Sequence, residues 1–361
     1  MLTSKSTTPP LPITHPIRPR SAPVRIGRAL VDLLTAGATL YGLAALVYLI
    51  ARFIIGERWH AITIANNLMP MLLIPALPCT LILLVTRRWR ATALIAPGAA
   101  AFVILYGGML LPVSLRQSTP IPDDVPTLTI LTWNMHRMLN DAELATALAL
   151  IRGSGADIVA LQEFTQPADD YLTPRLGDIY PYNALHPYAT SVNGVGLYSR
   201  YPIYADEYWV RQLGNMWAQI VVNEQLIMVY NVHPSSPGIS VNTRVRTLDV
   251  TDILARIEAE ELPLLVVGDF NLTDQSDDYG RLAARLRDSF RQAGAGLGLT
   301  FPNLGATNPL LGSIPPVIRI DYIWHSDHWV AVEARVNESA GGSDHFPVIA
   351  RLALIDANAG A

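Results

Sequence analysis

The sequence holds one cysteine, Cys79, and one lysine, Lys5, in 361 residues. A lone cysteine excludes an internal disulfide framework and a cysteine-built metal centre within one chain. Charge is sparse: 16% of residues are Asp, Glu, Lys or Arg, while half are hydrophobic. The mean hydropathy of +0.28 is high for a soluble enzyme. The excess is uneven. It lies before about residue 114, and the remainder of the chain reads like an ordinary globular domain. Basic charge is short where a polyanion-binding surface would need it. From Thr119 to Ala361 there are 15 arginines and no lysine against 28 acidic residues, net −13, whereas the preceding part carries +9. Two parts so unlike in charge need different neighbours. No internal repeat is visible.

What is present in the first part is length and apolarity. A bilayer core of about 30 Å takes about 20 apolar residues as helix. Residues 29–51 form such a run, with Asp32 near one end, and residues 91–113 form a second without charge. Residues 68–85 are apolar but carry Pro70, Pro75 and Pro78, which predicts a third, kinked span. A re-entrant hairpin is the alternative, disfavoured by the arginines that follow at once. A cleaved signal peptide fits poorly, since the first run is long, starts late and is followed by two more. Lys5, Arg18, Arg20, Arg25 and Arg28 precede the first run, Arg52 and Arg58 with Glu57 follow it, Arg87, Arg88 and Arg90 lie between residues 68–85 and 91–113, and only Arg116 comes after, a high, low, high, low pattern. By the bias of basic residues towards the cytoplasm, the N-terminus is expected inside and the C-terminal domain outside, in a multi-pass protein of the cell membrane. Residues 1–28 are expected to be a disordered basic N-terminus. Residues 114–126, with Pro120, Pro122 and Pro126, read as a short, stiff linker. A domain is expected over 127–354 and a tail over 355–361.

Within that domain, alternating or continuous apolar runs predict strands at 128–132, 157–161, 195–198, 216–222, 225–232, 264–267, 319–324, 329–336 and 346–352. Helical spacing predicts helices at 141–151, 242–260 and 277–293. Many strands with a few helices imply an α/β or α+β layered fold.

Polar residues gather at the ends of these strands: Trp133-Asn134, Gln162-Glu163, Asn231-Val232-His233, Gly268-Asp269-Phe270-Asn271, Arg319-Ile320-Asp321 and Ser343-Asp344-His345. Singly, most have a bland reading as a turn residue, a cap or a solvated carboxylate. Together, in this order and each at a strand boundary, they describe the rim of a sheet where side chains converge. The set, with Gly196–Ile203, resembles the endonuclease/exonuclease/phosphatase superfamily over about residues 127–354.

The resemblance implies a four-layered α/β sandwich, hydrolysis of phosphodiester or phosphomonoester bonds, and Mg²⁺ or Mn²⁺ held by oxygen ligands. It implies Glu163 as the main metal ligand, Asn134 nearby, and Asp344 on the same metal or a second. Asp269 would position or deprotonate water, and Asn271 would hold a phosphate oxygen or the attacking group. His345, oriented by Asp321, would be the acid/base or phosphate-stabilising group, and His233 would donate to phosphate or the leaving group. No carboxylate in the sequence is assigned to His233. Acidity and membrane proximity lean the expected substrate towards a lipid-linked or small phosphoester, with the bilayer as partner and nucleic acid disfavoured. A surface nuclease and a catalytically inactive binding module on the same fold are the rivals. A channel or transporter fits worst, because Asp32 is the only ionisable group inside the apolar runs.

Overall fold

A computed structural model describes residues 22–116, 125–238, 243–306, 308–312 and 314–355. The expected disorder of residues 1–21, most of the expected linker and the tail from 356 lie outside the described residues. Residues 22–28, expected to be disordered, instead begin the first helix. The helical region comprises α1 (Ala22–Ile55), α2 (His60–Asn67), α3 (Met69–Leu73), α4 (Ala76–Val85) and α5 (Trp89–Tyr106). Two helices, Ala29–Arg58 and Trp89–Leu110 with their short 3-10 extensions, are long and apolar enough to cross a membrane. His60–Asn67 with Met69–Val85 would be a third only as one pair bent by 79°. The run expected to be helical through 113 leaves the α-helix at Tyr106, where Gly107 and Gly108 tighten into a 3-10 turn. Residues 60–67, expected in a loop, are helical.

Leu33, Leu34, Leu40, Phe53 and Ile54 of α1 face outward, bare of protein. A stripe of that size is stable only against something apolar. Gly42 lets α1 and α5 touch: a Cβ there would lie 2.9 Å from the Ile95 Cα. Asp32, the one acid in these helices, pairs with Arg88 at 2.6 Å.

The strands are β1 (Thr127–Asn134), β2 (Ile158–Gln162), β3 (Tyr182–His186), β4 (Val195–Ser199), β5 (Ile203–Val210), β6 (Gly214–Val222), β7 (Gln225–Val232), β8 (Leu264–Asp269), β9 (Arg287–Asp288), β10 (Asp321–His325), β11 (Trp329–Val336) and β12 (Val348–Leu354). They form two six-stranded mixed sheets, ordered β11-β12-β1-β2-β4-β3 and β5-β6-β7-β8-β10-β9. The remaining helices are α6 (Asp141–Gly153), α7 (Gln166–Leu176), α8 (Arg244–Ile257), α9 (Asp277–Ala283) and α10 (Ser289–Ala293). Alternation along β1 shows the layering. Leu128 and Ile130 point at the second sheet, into a core shared with Ile227, Val229, Leu265 and Val267. Leu131 and Trp133 point the other way, against Leu144, Ile151 and Leu172 of α6 and α7. Val250 and Ile253 of α8 and Leu282 of α9 cover the far face of the second sheet. The result is an α/β arrangement of two mixed sheets between helices.

Several elements escape the periodicity argument. The helix α7 is polar and carries Pro167 and Pro174. The strands β3 and β5 are exposed at sheet edges, where no core enforces a pattern. The single helix expected over 277–293 is two short helices with β9 between them. Asp288 makes the break. It caps α10 by accepting from the Phe290 and Arg291 backbones and receives Arg319 at 2.8 Å.

The helical region is bolted to the sandwich. Met69, Leu73, Phe102, Tyr106 and Met109 join the same apolar cluster as Phe290 and Ala293. Arg291 donates to the Leu105 carbonyl at 3.0 Å and to Asp274 at 2.7 Å. A wholly buried guanidinium, Arg246, donates to Glu57 at 3.0 Å, to Asp278 at 3.3 Å and to the Asn271 carbonyl at 3.0 Å. Glu57 returns a bond by accepting the Asp277 N–H at 3.2 Å. Glu57→Ala strips one counter-ion from a buried cation, a loss of about 3 kcal/mol. Thermal unfolding of the detergent-purified full chain should show a Tm lower by roughly 6 °C or more.

Candidate active site

The site follows from strand direction. β1 and β2 are parallel, as are β7 and β8, so all four end on one rim. β10 and β12 run antiparallel to their neighbours β8 and β1 and therefore start there. Asn134 closes β1, Glu163 follows β2, His233 follows β7, Asp269 closes β8, Asp321 opens β10, and Asp344-His345 precede β12. Residues far apart in sequence thus meet because six strand ends share an edge.

Asp269 is the hub. It is 1% exposed, and four nitrogens surround its Oδ2: Asn134 Nδ2 at 3.0 Å, Asn271 Nδ2 at 3.4 Å, His233 Nε2 at 3.5 Å and His345 Nε2 at 3.7 Å. Its Oδ1 accepts the Asn271 N–H at 2.9 Å. The glycine before it has φ +146°, and a Cβ there would come within 1.9 Å of the Val232 carbonyl oxygen. Only glycine lets β8 approach β7 this closely.

His345 lies 5% exposed between two carboxylates. Its Nδ1 is 3.0 Å from Asp321 Oδ2, and its ring stacks obliquely on Phe301 at 4.7 Å. Ser343 fixes the approach by accepting the His345 N–H at 3.0 Å while donating to the Asn134 carbonyl at 2.7 Å. The Trp133 indole donates to the His345 carbonyl at 3.2 Å. His233 is held through its backbone, which donates to Asn215 Oδ1 at 2.9 Å. The carboxylate beside it, unassigned from the sequence, is Asp269.

Burial opposes charge on His345, but Asp321, Asp269 and Asp344 outweigh it and raise its pKa to about 10. Burial also disfavours ionised Asp269, yet His345 and His233 hold its carboxyl below the usual range. Asp321 is pushed up, first by burial, with His345 offsetting part of it. His233 is raised by Asp269 despite burial. A buried carboxylate thus sits beside two imidazoles whose charged form it favours, and they favour its own.

The mouth is more open. Glu163 Oε1 accepts from Asn134 Nδ2 at 3.2 Å, while its Oε2 is buried without a hydrogen-bond partner and lies 3.5 Å from Arg137 Nε. His136 Nδ1 is 3.3 Å from Asp344. All eight residues singled out from the sequence are therefore brought to one place. His136 and Arg137 were missed, although Asn134-Met135-His136-Arg137 put them within reach of a strand end. Among the described residues, seven non-glycine residues have positive φ, and four of them are His136, Arg137, Glu163 and Asn271. Such backbone is costly and gathers at functional sites.

Two donor sets could hold a divalent cation. Ligand atoms of Asp269, Asp321 and His345 lie within 4.8 Å of one another, but these groups already satisfy one another, with His345 lying between the two carboxylates. The orphaned Glu163 Oε2, with Asn134 and Asp344, is the better fit, being oxygen-rich and at the mouth.

Residues 131–345, more than half of the chain, match the endonuclease/exonuclease/phosphatase family. The chain belongs to that family. Its members are phosphoester hydrolases that generally use divalent metals. Solved structures agree on the fold. The endonuclease/exonuclease/phosphatase from Bacteroides vulgatus is 21% identical with a TM-score of 0.54, covering 63% of this chain and 99% of its own. D. rerio TDP2 complexed with a single-strand DNA product is 19% identical with a TM-score of 0.53, covering 63% and 98%. The family protein from Beutenbergia cavernae is 21% identical with a TM-score of 0.51, covering 64% and 72%. No curated protein matches the chain.

The raised His345 pKa sets a pH dependence of stability. A group whose pKa rises on folding contributes fully below its unfolded value, near 6.5, and loses that contribution as pH climbs through the folded value. The Tm gap between the native chain and His345→Gln should be widest near pH 6 and close as pH approaches about 10. A gap constant over that interval would refute the assignment.

Proposed function

We propose that this family member is an active, divalent-metal-dependent phosphoesterase, anchored in the cell membrane by its N-terminal helices, with the catalytic domain outside the cytoplasm. The observation that carries the catalytic reading is the ring of four nitrogens around Asp269 Oδ2. An inactive binding module has no need to bury a carboxylate between two imidazoles.

Glu163, Asn134 and Asp344 would hold the cation. When bound, it neutralises phosphate charge, and its oxygen ligands favour Mg²⁺ or Mn²⁺. Asp269, kept ionised, positions the attacking water and accepts its proton. Asn271, turned towards Asp269 by positive φ, orients the same water or a phosphate oxygen. His345, steadied by Asp321, and His233 donate to phosphate oxygens as negative charge builds, and one of them protonates the leaving oxygen.

For the substrate, we favour a lipid-linked or small phosphoester. The chain from Thr119 on has net charge −13 with no lysine, which repels a long polyanion at low salt. Lipid headgroups are the phosphodiesters closest to a domain bolted onto apolar helices. The nuclease reading draws on the TDP2 structure with its DNA product, at an identity that speaks to fold alone.

Asp269→Asn and His345→Ala should each lower kcat by roughly 10²-fold or more, and Glu163→Gln should weaken Mg²⁺ activation together with rate. Equal turnover in excess chelator would overturn the metal-dependent mechanism. At matched ionic strength, kcat/KM on phospholipids and inositol phosphates should exceed that on plasmid DNA. Efficient nicking without small-phosphoester turnover would move the assignment to a surface nuclease. For orientation, alkaline phosphatase fused to the C-terminus should be active and a cytoplasm-restricted fluorescent reporter dark. The reverse pattern places the domain inside.

A further inference from the structure

A cavity of about 760 Å³ opens at the seam between the helical region and the sandwich, and none of its lining residues belongs to the Asp269 cluster. One wall is the turn after α1, with Arg58, His60 and Thr63. The other is the start of α8 and the adjoining face of α9, with Arg244, Thr247 and Arg281. Arg58, Arg244 and Arg281 share the lining with Glu57, Asp277 and Asp278, and the buried Arg246 behind the wall leaves one cation in excess. Glu57 and Asp278, two of the three acids in the lining, are already claimed by the buried Arg246, and Arg281 holds the second oxygen of Asp278 at 3.1 Å. The Arg58 side chain is exposed and has no ion pair or hydrogen bond among the described residues.

Two buried atoms in this wall are unsatisfied. Thr63 is 1% exposed, and its Oγ1 has no partner; nor has Glu57 Oε1. Orphaned polar atoms at this depth are expensive unless something hydrogen-bonds to them. Beside the cavity, Phe53 is 86%, Ile54 76% and Trp59 57% exposed. A bare apolar helix end with a tryptophan at its rim is how a protein meets the headgroup layer.

We propose that this cavity binds the headgroup of an anionic glycerophospholipid from the leaflet on the catalytic side. Arg58 and Arg244 take the phosphodiester, and headgroup hydroxyls donate to Glu57 Oε1 and Thr63 Oγ1. The site rests on the reading that the apolar helices lie in a membrane, and it is separate from the catalytic centre. The shared chemistry is a phosphate with hydroxyl donors, which a soluble phosphate ester could also present.

The test uses the full chain in non-ionic detergent, titrated with dioleoylphosphatidylglycerol or dioleoylphosphatidylcholine and read by native mass spectrometry. Phosphatidylglycerol should be retained in preference, because phosphatidylcholine has no net charge and no headgroup donor. Arg58→Gln with Arg244→Gln should weaken phosphatidylglycerol roughly 10-fold or more and narrow its preference over phosphatidylcholine. Thr63→Val, which removes an orphaned hydroxyl without touching charge, should lower the preference by a smaller factor. Equal retention by the native chain and the double variant overturns the site. Displacement of the lipid by millimolar inorganic phosphate or glycerol 3-phosphate, with no affinity from the acyl chains, overturns the lipid as occupant in favour of a soluble ester. Membrane integration is measured separately by alkaline carbonate extraction. A chain released by carbonate overturns the membrane reading and the lipid site with it.

Discussion

Asp269 and Asp321 stand directly opposite each other in the β8–β10 register, both buried. Like charges opposed across a ladder are destabilising, and burial magnifies the effect by removing water. His345 makes the arrangement tolerable by sitting between them, with one nitrogen towards each carboxylate. Much of the site follows from that need. Ser343 and Trp133 fix the His345 backbone, Gly268 lets β8 run close to β7, and His233, Asn134 and Asn271 supply the other nitrogens around Asp269. The same charge compensation that lets the core close leaves a buried carboxylate and two imidazoles side by side at the rim of the sheets.

A second buried ion group does for orientation what the first does for chemistry. Arg246 ties the turn after α1 to α9 and to the backbone of Asn271. The loop that carries Asn271 is therefore braced by the same guanidinium that holds the helical region. With the apolar contacts of Phe102, Tyr106 and Met109, this makes the sandwich a fixed cap on the helices. A membrane below would then meet one definite face of the domain, and the cavity at the seam lies on that face.

Much was legible in the sequence because it is local. Apolar length marks α1 and α5, since a helix with no polar face writes its surroundings into every residue. Period-two alternation marks β1, whose two faces meet different layers, and short continuous apolar runs mark β2 and β8. The polar doublets at strand ends marked all eight residues now seen together. The edge strands β3 and β5 and the polar α7 were not legible, because nothing buried dictates their pattern. The break between α9 and α10 was hidden because Asp288 acts through Arg319, 31 residues away. The positive φ of His136 and Arg137, and with it their place at the mouth, left no mark on hydrophobic spacing.

The sequence by itself determined that an apolar, basic N-terminal region precedes an acidic layered α/β domain, and which strand ends carry chemistry-bearing side chains. Only the tertiary structure decided how those ends are paired: that Asp269 serves both histidines, that Asp321 faces it in register, and that Glu57, in the turn after the first helix, closes a buried ion group with Arg246. The physical reason is range. Hydrophobic periodicity is imposed by neighbours a few residues apart, whereas charge compensation in a low-dielectric interior is settled between groups that meet only when both sheets and the helical region have packed.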